Sequence, residues 1–242
     1  MSWVAWTGFL FHVAAAAIFT VLYCCARPNS DASSVAQSAF VVSVVTATVN
    51  FLQLGLQSNA LRFYTLTWGG FAFSLFLIGH SLATFMGHDS SRRVFLGFTL
   101  ALVGALGTLG IYASTSPGIY AVIVGAFLLY AAFFTVLVRE RGASAPEHAC
   151  WVLVLFGAAT LAYIIPYIAG FPTNASTVNV ADTVWYLVGN VVTKIAVPVI
   201  EWAMLRSDAA GSDALVVDEG DTELLEGSSS SPYRLHWRTK RK

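Results

Sequence analysis

Seven stretches of the chain are apolar almost from end to end: Trp3–Cys25, Val35–Leu56, Leu61–Met86, Val94–Ser114, Ile119–Val138, Ala149–Phe171 and Asp182–Leu205. Each holds about the 20 residues that a helix needs to cross a hydrocarbon core. They are too long for barrel strands, and a helix satisfies its own backbone groups in lipid. The pattern predicts an all-α fold, a seven-transmembrane helix bundle over residues 1–206. The first run lacks a basic leader and a clear cleavage site, so it reads as a span and not as a signal peptide. From Ser207 the pattern breaks into an acidic block (Asp218, Glu219, Asp221, Glu223, Glu226), a serine run and a basic end, Arg238-Thr239-Lys240-Arg241-Lys242. Residues 207–242 read as a disordered cytoplasmic tail.

Composition sharpens this picture. Hydrophobic residues make up 57% of the chain and charged residues 11%, against about a quarter charged in soluble domains. Acidic and basic residues balance at 13 each, so only their distribution is informative. With seven spans, Arg27, Arg92, Arg93, Arg139, Arg141 and Arg206 fall on one side, and the opposite loops carry almost no basic residues. The positive-inside rule then sets the N-terminus outside and the C-terminus in the cytoplasm. The sequon Asn174-Ala175-Ser176 falls on the outer side. Membrane lipid is the expected surround, with the basic tail suited to anionic head groups. Gly69 and Gly70 permit close helix approach, which is compatible with a homo-oligomer. No nucleic-acid partner is expected. The three cysteines form no metal or redox spacing, and Cys24-Cys25 beside Arg27 reads as a palmitoylation site or as two small helix residues. No P-loop, zinc spacing or nucleophile elbow is present, so a conventional enzyme is not expected.

Charges inside spans are costly and usually functional. Arg62 lies near the outer end of the third span; Asp182, Lys194 and Glu201 lie along the seventh. Lys194 is the only lysine before the tail. It lies about 18 Å along the helix from Asp182, at mid-membrane. A desolvated lysine is readily neutral and therefore nucleophilic toward an aldehyde. Its alternatives are an ion pair with Glu201 or a place on a transport path. Glu201 is expected at the interface facing solvent, with a cytoplasmic proton group or gate as the other reading. His12 and His80 read first as packing residues, and His80 as a possible proton shuttle.

Three segments carry a family resemblance. Val184-Trp185-Tyr186-Leu187-Val188-Gly189-Asn190-Val191-Val192-Thr193-Lys194-Ile195 resembles the seventh helix of the microbial (type 1) rhodopsins, the proteorhodopsin branch above all, and the match reaches Trp202. Leu61-Arg62-Phe63-Tyr64-Thr65 is similar to the Arg-Tyr-x-Asp-Trp pattern of their third helix, and Pro166 stands where the sixth helix has its proline. The resemblance implies retinal, held as a Schiff base on Lys194, with Thr65, Asn190, Trp68, Tyr163, Pro166, Tyr167 and Tyr186 around it. Arg62, Asp182 and Glu201 would then mark an ion pathway.

The chain departs from the family where protons are handled. Thr65 and Asn190 replace the two counterion aspartates, and Phe76 stands at the cytoplasmic proton-donor position. Leu66, Ala162 and Ala169 stand where tryptophans are expected, with Trp68, Tyr163 and Tyr167 close by. Without a carboxylate acceptor, outward proton pumping is not expected. Either the Schiff base is neutral, or chloride or another anion supplies the charge, held by Arg62, Thr65 and Asn190. The function expected is a light-responsive photoreceptor. A light-gated or light-driven anion transporter, a retinal-free relative and an unrelated seven-helix transporter are the alternatives.

Overall fold

The computed structural model describes residues 2–56, 59–112, 116–169 and 180–209, with the backbone alone for 2, 60, 116, 162–169 and 180–183. Seven α-helices follow one another among the described residues: α1 (Ser2–Cys25), α2 (Asp31–Leu54), α3 (Ala60–Phe85), α4 (Ser90–Ile111), α5 (Ser116–Arg139), α6 (Ala149–Ala169) and α7 (Val180–Val191). The last continues through a π-helical turn, Val192–Ala196, and returns to α-helix as far as Ala209. No strand occurs among the described residues. Six helices are long and apolar enough to cross a membrane, and α6 carries no charged residue across its 21 residues. This is a multi-pass integral membrane bundle. The chain divides into two units, Met1–Arg206 and Ser207–Lys242, and the bundle is the first.

Polar caps extend two helices beyond their apolar runs. α2 starts at Asp31 rather than Val35 because the Ser30 hydroxyl accepts the Ser33 backbone N–H at 3.1 Å. α4 starts at Ser90 rather than Val94 because Asp89 Oδ1 accepts the Arg92 N–H at 3.0 Å. Each cap satisfies one orphan donor of the first turn. The same end of the bundle is tied by ion pairs. Arg93 Nη1 meets Asp31 Oδ1 at 3.0 Å, and Arg92 pairs with Glu140 at the loop after α5. Exposed pairs of this kind add little stability; they fix the order of the loops.

Lipid gives helices no hydrophobic reason to associate, so close packing through small residues matters. A Cβ at Gly97 would lie 2.8 Å from the Phe76 carbonyl oxygen, and one at Gly104 would lie 2.6 Å from Ala72 Cα. These glycines let the backbones of α3 and α4 touch. Gly70 performs the same service between α3 and Val49 of α2, whereas nothing lies within 4 Å of Gly69. The close helix approach expected of both is met at Gly70, inside the bundle, and not at Gly69. A dense apolar core, with Leu82, Phe85, Leu96, Leu100, Phe133 and Phe156 fully buried, fills the arginine-bearing end. Toward the other end the interior turns aromatic, with Phe63, Tyr64, Trp68, Phe71 and Tyr186 in one cluster. Trp3, Leu128 and Trp151 point outward.

Candidate functional site

Lys194 sits in the π turn, 3% exposed. π turns insert one extra residue into a helix and recur at functional sites. Its Nζ donates to Thr46 Oγ1 of α2 at 3.1 Å and stands 4.3 Å from the Phe71 ring centroid of α3. The Thr46 hydroxyl donates to the Val42 carbonyl at 2.8 Å, so its oxygen offers the lysine an acceptor. No ion pair joins Lys194 to Glu201 among the described residues.

Two cavities meet at this nitrogen. One is the more polar, bounded by α1, α2, α3 and α7; Thr46, Asn50, Gln53, Thr67 and Asn190 line it with Lys194. Gln53 Nε2 donates to Thr67 Oγ1 at 2.5 Å, and Thr67 Oγ1 donates to the Phe63 carbonyl at 2.8 Å. No aspartate or glutamate lines this cavity among the described residues. The other is apolar, about 730 Å³ with its mouth, and runs between α3, α4, α5, α6 and the π turn. Trp68, Phe71, Leu75, Phe127 and Phe156 line it with Lys194. Trp68 meets Phe71 edge-on at 5.4 Å and Tyr186 edge-on at 6.4 Å, so three aromatic rings brace one another beside the lysine. Phe71 and Lys194 belong to both cavities.

No family model matches the chain, and no curated protein matches it either. Solved structures do. A light-driven proton pump from Leptosphaeria maculans superposes with a TM-score of 0.68 at 17% identity, covering 86% of this chain and 94% of that one. Xanthorhodopsin, a light-driven ion pump with a dual chromophore, gives 0.65 at 18% identity, covering 88% and 96%. Cyanorhodopsin from the cyanobacterium Calothrix gives 0.65 at 12% identity, covering 84% and 97%. The bundle has the microbial-rhodopsin fold.

Several residues singled out in the sequence come together in this microbial-rhodopsin fold: Lys194, Asn190 and Tyr186 on α7, and Trp68 on α3. Others do not. Thr65 faces α4, where its hydroxyl lies 2.9 Å from Tyr112 OH and also donates to the Leu61 carbonyl. Arg62 is exposed on the first turn of α3 and lines neither cavity. Phe76 packs on Phe98 of α4, with ring centroids 4.9 Å apart. The register of α3 drawn from Arg62 and Thr65 therefore does not bring its residues to Lys194; Thr67 and Trp68, two residues on from Thr65 and Leu66, line the cavities there instead. Thr67 was overlooked, as were Thr46, Asn50 and Gln53 of α2; the pair Thr67-Trp68 was the signal for the first.

Glu201 needs a second correction. It is 1% exposed rather than facing solvent, and Ser81 Oγ of α3 donates to its Oε2 at 2.8 Å. The π turn also changes which side chains share a face. Thr193, and not Lys194, looks onto the space around Glu201. Tyr163, Pro166 and Tyr167 lie on α6 and Asp182 on α7, and their side chains lie outside the described residues.

Proposed function

We propose that this is a light-responsive, retinal-binding membrane protein, a photoreceptor rather than an outward proton pump, with Lys194 as the attachment residue. One observation carries the reading: the lysine is buried where an apolar, aromatic-walled cavity meets a polar one. Ligand sites are mostly apolar with a few polar groups, and the cavity walled by Trp68, Phe71, Phe127 and Phe156 around Lys194 fits that description. Retinal, held there as a Schiff base, would supply a polyene that light isomerises. The chain's residues do the rest. Trp68, Phe71 and Tyr186 would hold the polyene, and the apolar walls keep bulk solvent from it. Thr67 and Asn190 give the nitrogen neutral neighbours in place of carboxylates, so no carboxylate lines the polar cavity among the described residues.

The carboxamides favour a second reading, anion binding. Asn50 Nδ2 is buried without a hydrogen-bond partner among the described residues, in the wall of the polar cavity. An anion held by Asn50, Gln53 and Asn190 would balance a protonated Lys194, and light would then gate or drive its movement. The six arginines named above favour a cytoplasmic C-terminus, with residues 207–242 as the tail that passes the signal on. The test is expression with all-trans retinal, recording the spectrum before and after borohydride reduction, with Lys194→Ala as control. A retinal-dependent band and a Lys194 adduct, both absent in the variant, are expected. A wild type with neither refutes the reading. A band that shifts when chloride is exchanged for a large anion favours the second reading, and an unchanged band removes the anion.

A further inference from the structure

A carboxyl deep among helices is expensive, and Glu201 is not used by anything described so far. Ser81 donates to Oε2 at 2.8 Å, and Oε1 has no partner among the described residues. Around the carboxyl is a small chamber between α2, α3 and the end of the last helix. Its wall is Ser38, Ala39 and Val42 from α2, Leu77, Ile78 and Ser81 from α3, and Thr193, Val197 and Pro198 from the last helix. None of these is titratable, and no lysine, arginine or histidine lines the chamber among the described residues. Arg206, five residues on, lies over the Trp202 ring at 5.1 Å.

An unpaired buried carboxylate costs several kcal/mol, whereas a neutral acid costs only what a buried hydroxyl does. One serine hydroxyl and an apolar wall accommodate the acid with its proton on. Thr193 and Ile78 line both this chamber and the apolar cavity beside Lys194. They are a shared partition between the two.

We propose that Glu201 is a proton-exchange group for Lys194, working from the arginine-bearing end of the bundle with Ser81 as its positioning residue. This rests on Lys194 being the retinal-bearing residue. In the exchange, the O–H bond of Glu201 breaks and its electron pair stays on oxygen. The proton is taken up on the lone pair of the Lys194 nitrogen, forming an N–H bond. Seven helical residues rise about 10.5 Å, beyond direct hydrogen-bond reach, so the proton crosses the partition along a short chain of water. Ser81, already donating, steadies the carboxylate that remains until a proton returns from solvent at that end.

The experiment is infrared spectroscopy of the full chain in lipid nanodiscs, with and without all-trans retinal. In the retinal-free protein, a carboxylic C=O band is expected that vanishes in Glu201→Gln and shifts in Ser81→Ala. With retinal, the light-minus-dark spectrum should carry the same band, and the recovery phase should slow roughly a hundredfold in Glu201→Gln. A small weak acid such as azide should restore that rate, which a purely structural defect would not allow. A pigment whose recovery and carboxyl bands are unchanged in Glu201→Gln overturns the exchange alone. Failure to form any pigment overturns the Lys194 reading and the exchange with it.

Discussion

Gly107 of α4 is where a single methyl group would disturb the apolar cavity most directly. A Cβ there falls inside the contact distance of Trp68 Cε3, with Cζ3 at 2.6 Å and Cδ2 at 2.9 Å. The obstacle is a ring, not the tip of a flexible side chain. Phe71 at 5.4 Å and Tyr186 at 6.4 Å brace that ring, so it yields at the expense of the cavity. Overpacking of this kind costs about 1–3 kcal/mol. Replacing glycine by alanine in a helix returns about 1 kcal/mol, so Gly107→Ala should destabilise the retinal-free protein by only about 0–2 kcal/mol. The helix gain is common to the free and loaded forms and cancels in binding. The free form relieves the clash by moving the ring into the cavity; with retinal there that relief is lost, so a further overpacking term of about 1–3 kcal/mol falls on the loaded form, and half-saturation of the retinal band moves roughly 5- to 150-fold to higher retinal, at about 1.4 kcal/mol per tenfold. Gly125→Ala is the control, since its Cβ would meet nothing nearer than Leu106 Cδ1 at 3.5 Å. Adding Trp68→Phe to Gly107→Ala should recover part of the loss, because the two sites are coupled. Titration of the band in the four proteins decides it. Equal behaviour of Gly107→Ala and Gly125→Ala would refute the account of Trp68 as a wall of the retinal site.

Three further outcomes follow from the same geometry. Thr67→Val should move the absorption maximum of the pigment, and Thr65→Val should leave it in place; the reverse result would restore the earlier register of α3. Asn190→Asp sets a carboxylate in the polar cavity beside Lys194, so any response of the band to chloride exchange should vanish, and a persisting response would show that the anion lies elsewhere. The Arg92 backbone N–H holds the Asp89 carboxyl below the ordinary aspartate range. A group depressed in the folded state stabilises above its unfolded value and loses that contribution as pH falls through its folded value. Protection of the amides at residues 90–92, with exchange corrected for its intrinsic pH dependence, should therefore fall on acidification, and Asp89→Ala should show the low protection already at neutral pH.

The helices were legible because lipid demands long apolar runs, and each run became a helix. Their polar ends were less so, although Ser30-Asp31 and Asp89-Ser90 carry capping chemistry in plain view. The burial of Glu201 was not legible, because it depends on Ser81, 120 residues away in sequence. The bulge that turns Thr193 toward Glu201 leaves no mark in an apolar pattern.

The α3 register shows how a charge can mislead. Arg62 is the one arginine among the spans, and it drew the third-helix pattern onto itself and Thr65. Helical periodicity argues otherwise. Residues seven apart drift by only about 20° on a straight helix and so share a face. Thr65, Ala72 and Gly79 form one such row, and all three face α4, meeting Tyr112, Gly104 and Leu96. Thr67, Ser74 and Ser81 form the other, and all three are buried. Thr67 meets Gln53 of α2, and Ser81 meets Glu201 on the last helix. A row of three hydroxyl residues at intervals of seven has no reason to face lipid, and it marks the interior side of α3. The adjoining residues Trp68, Phe71, Leu75 and Ile78 then line the apolar cavity. An arginine at the mouth of a helix can reach water, whereas a hydroxyl row cannot be turned outward without facing hydrocarbon. Of the two signals, the hydroxyl row is the one that fixes the rotation of α3.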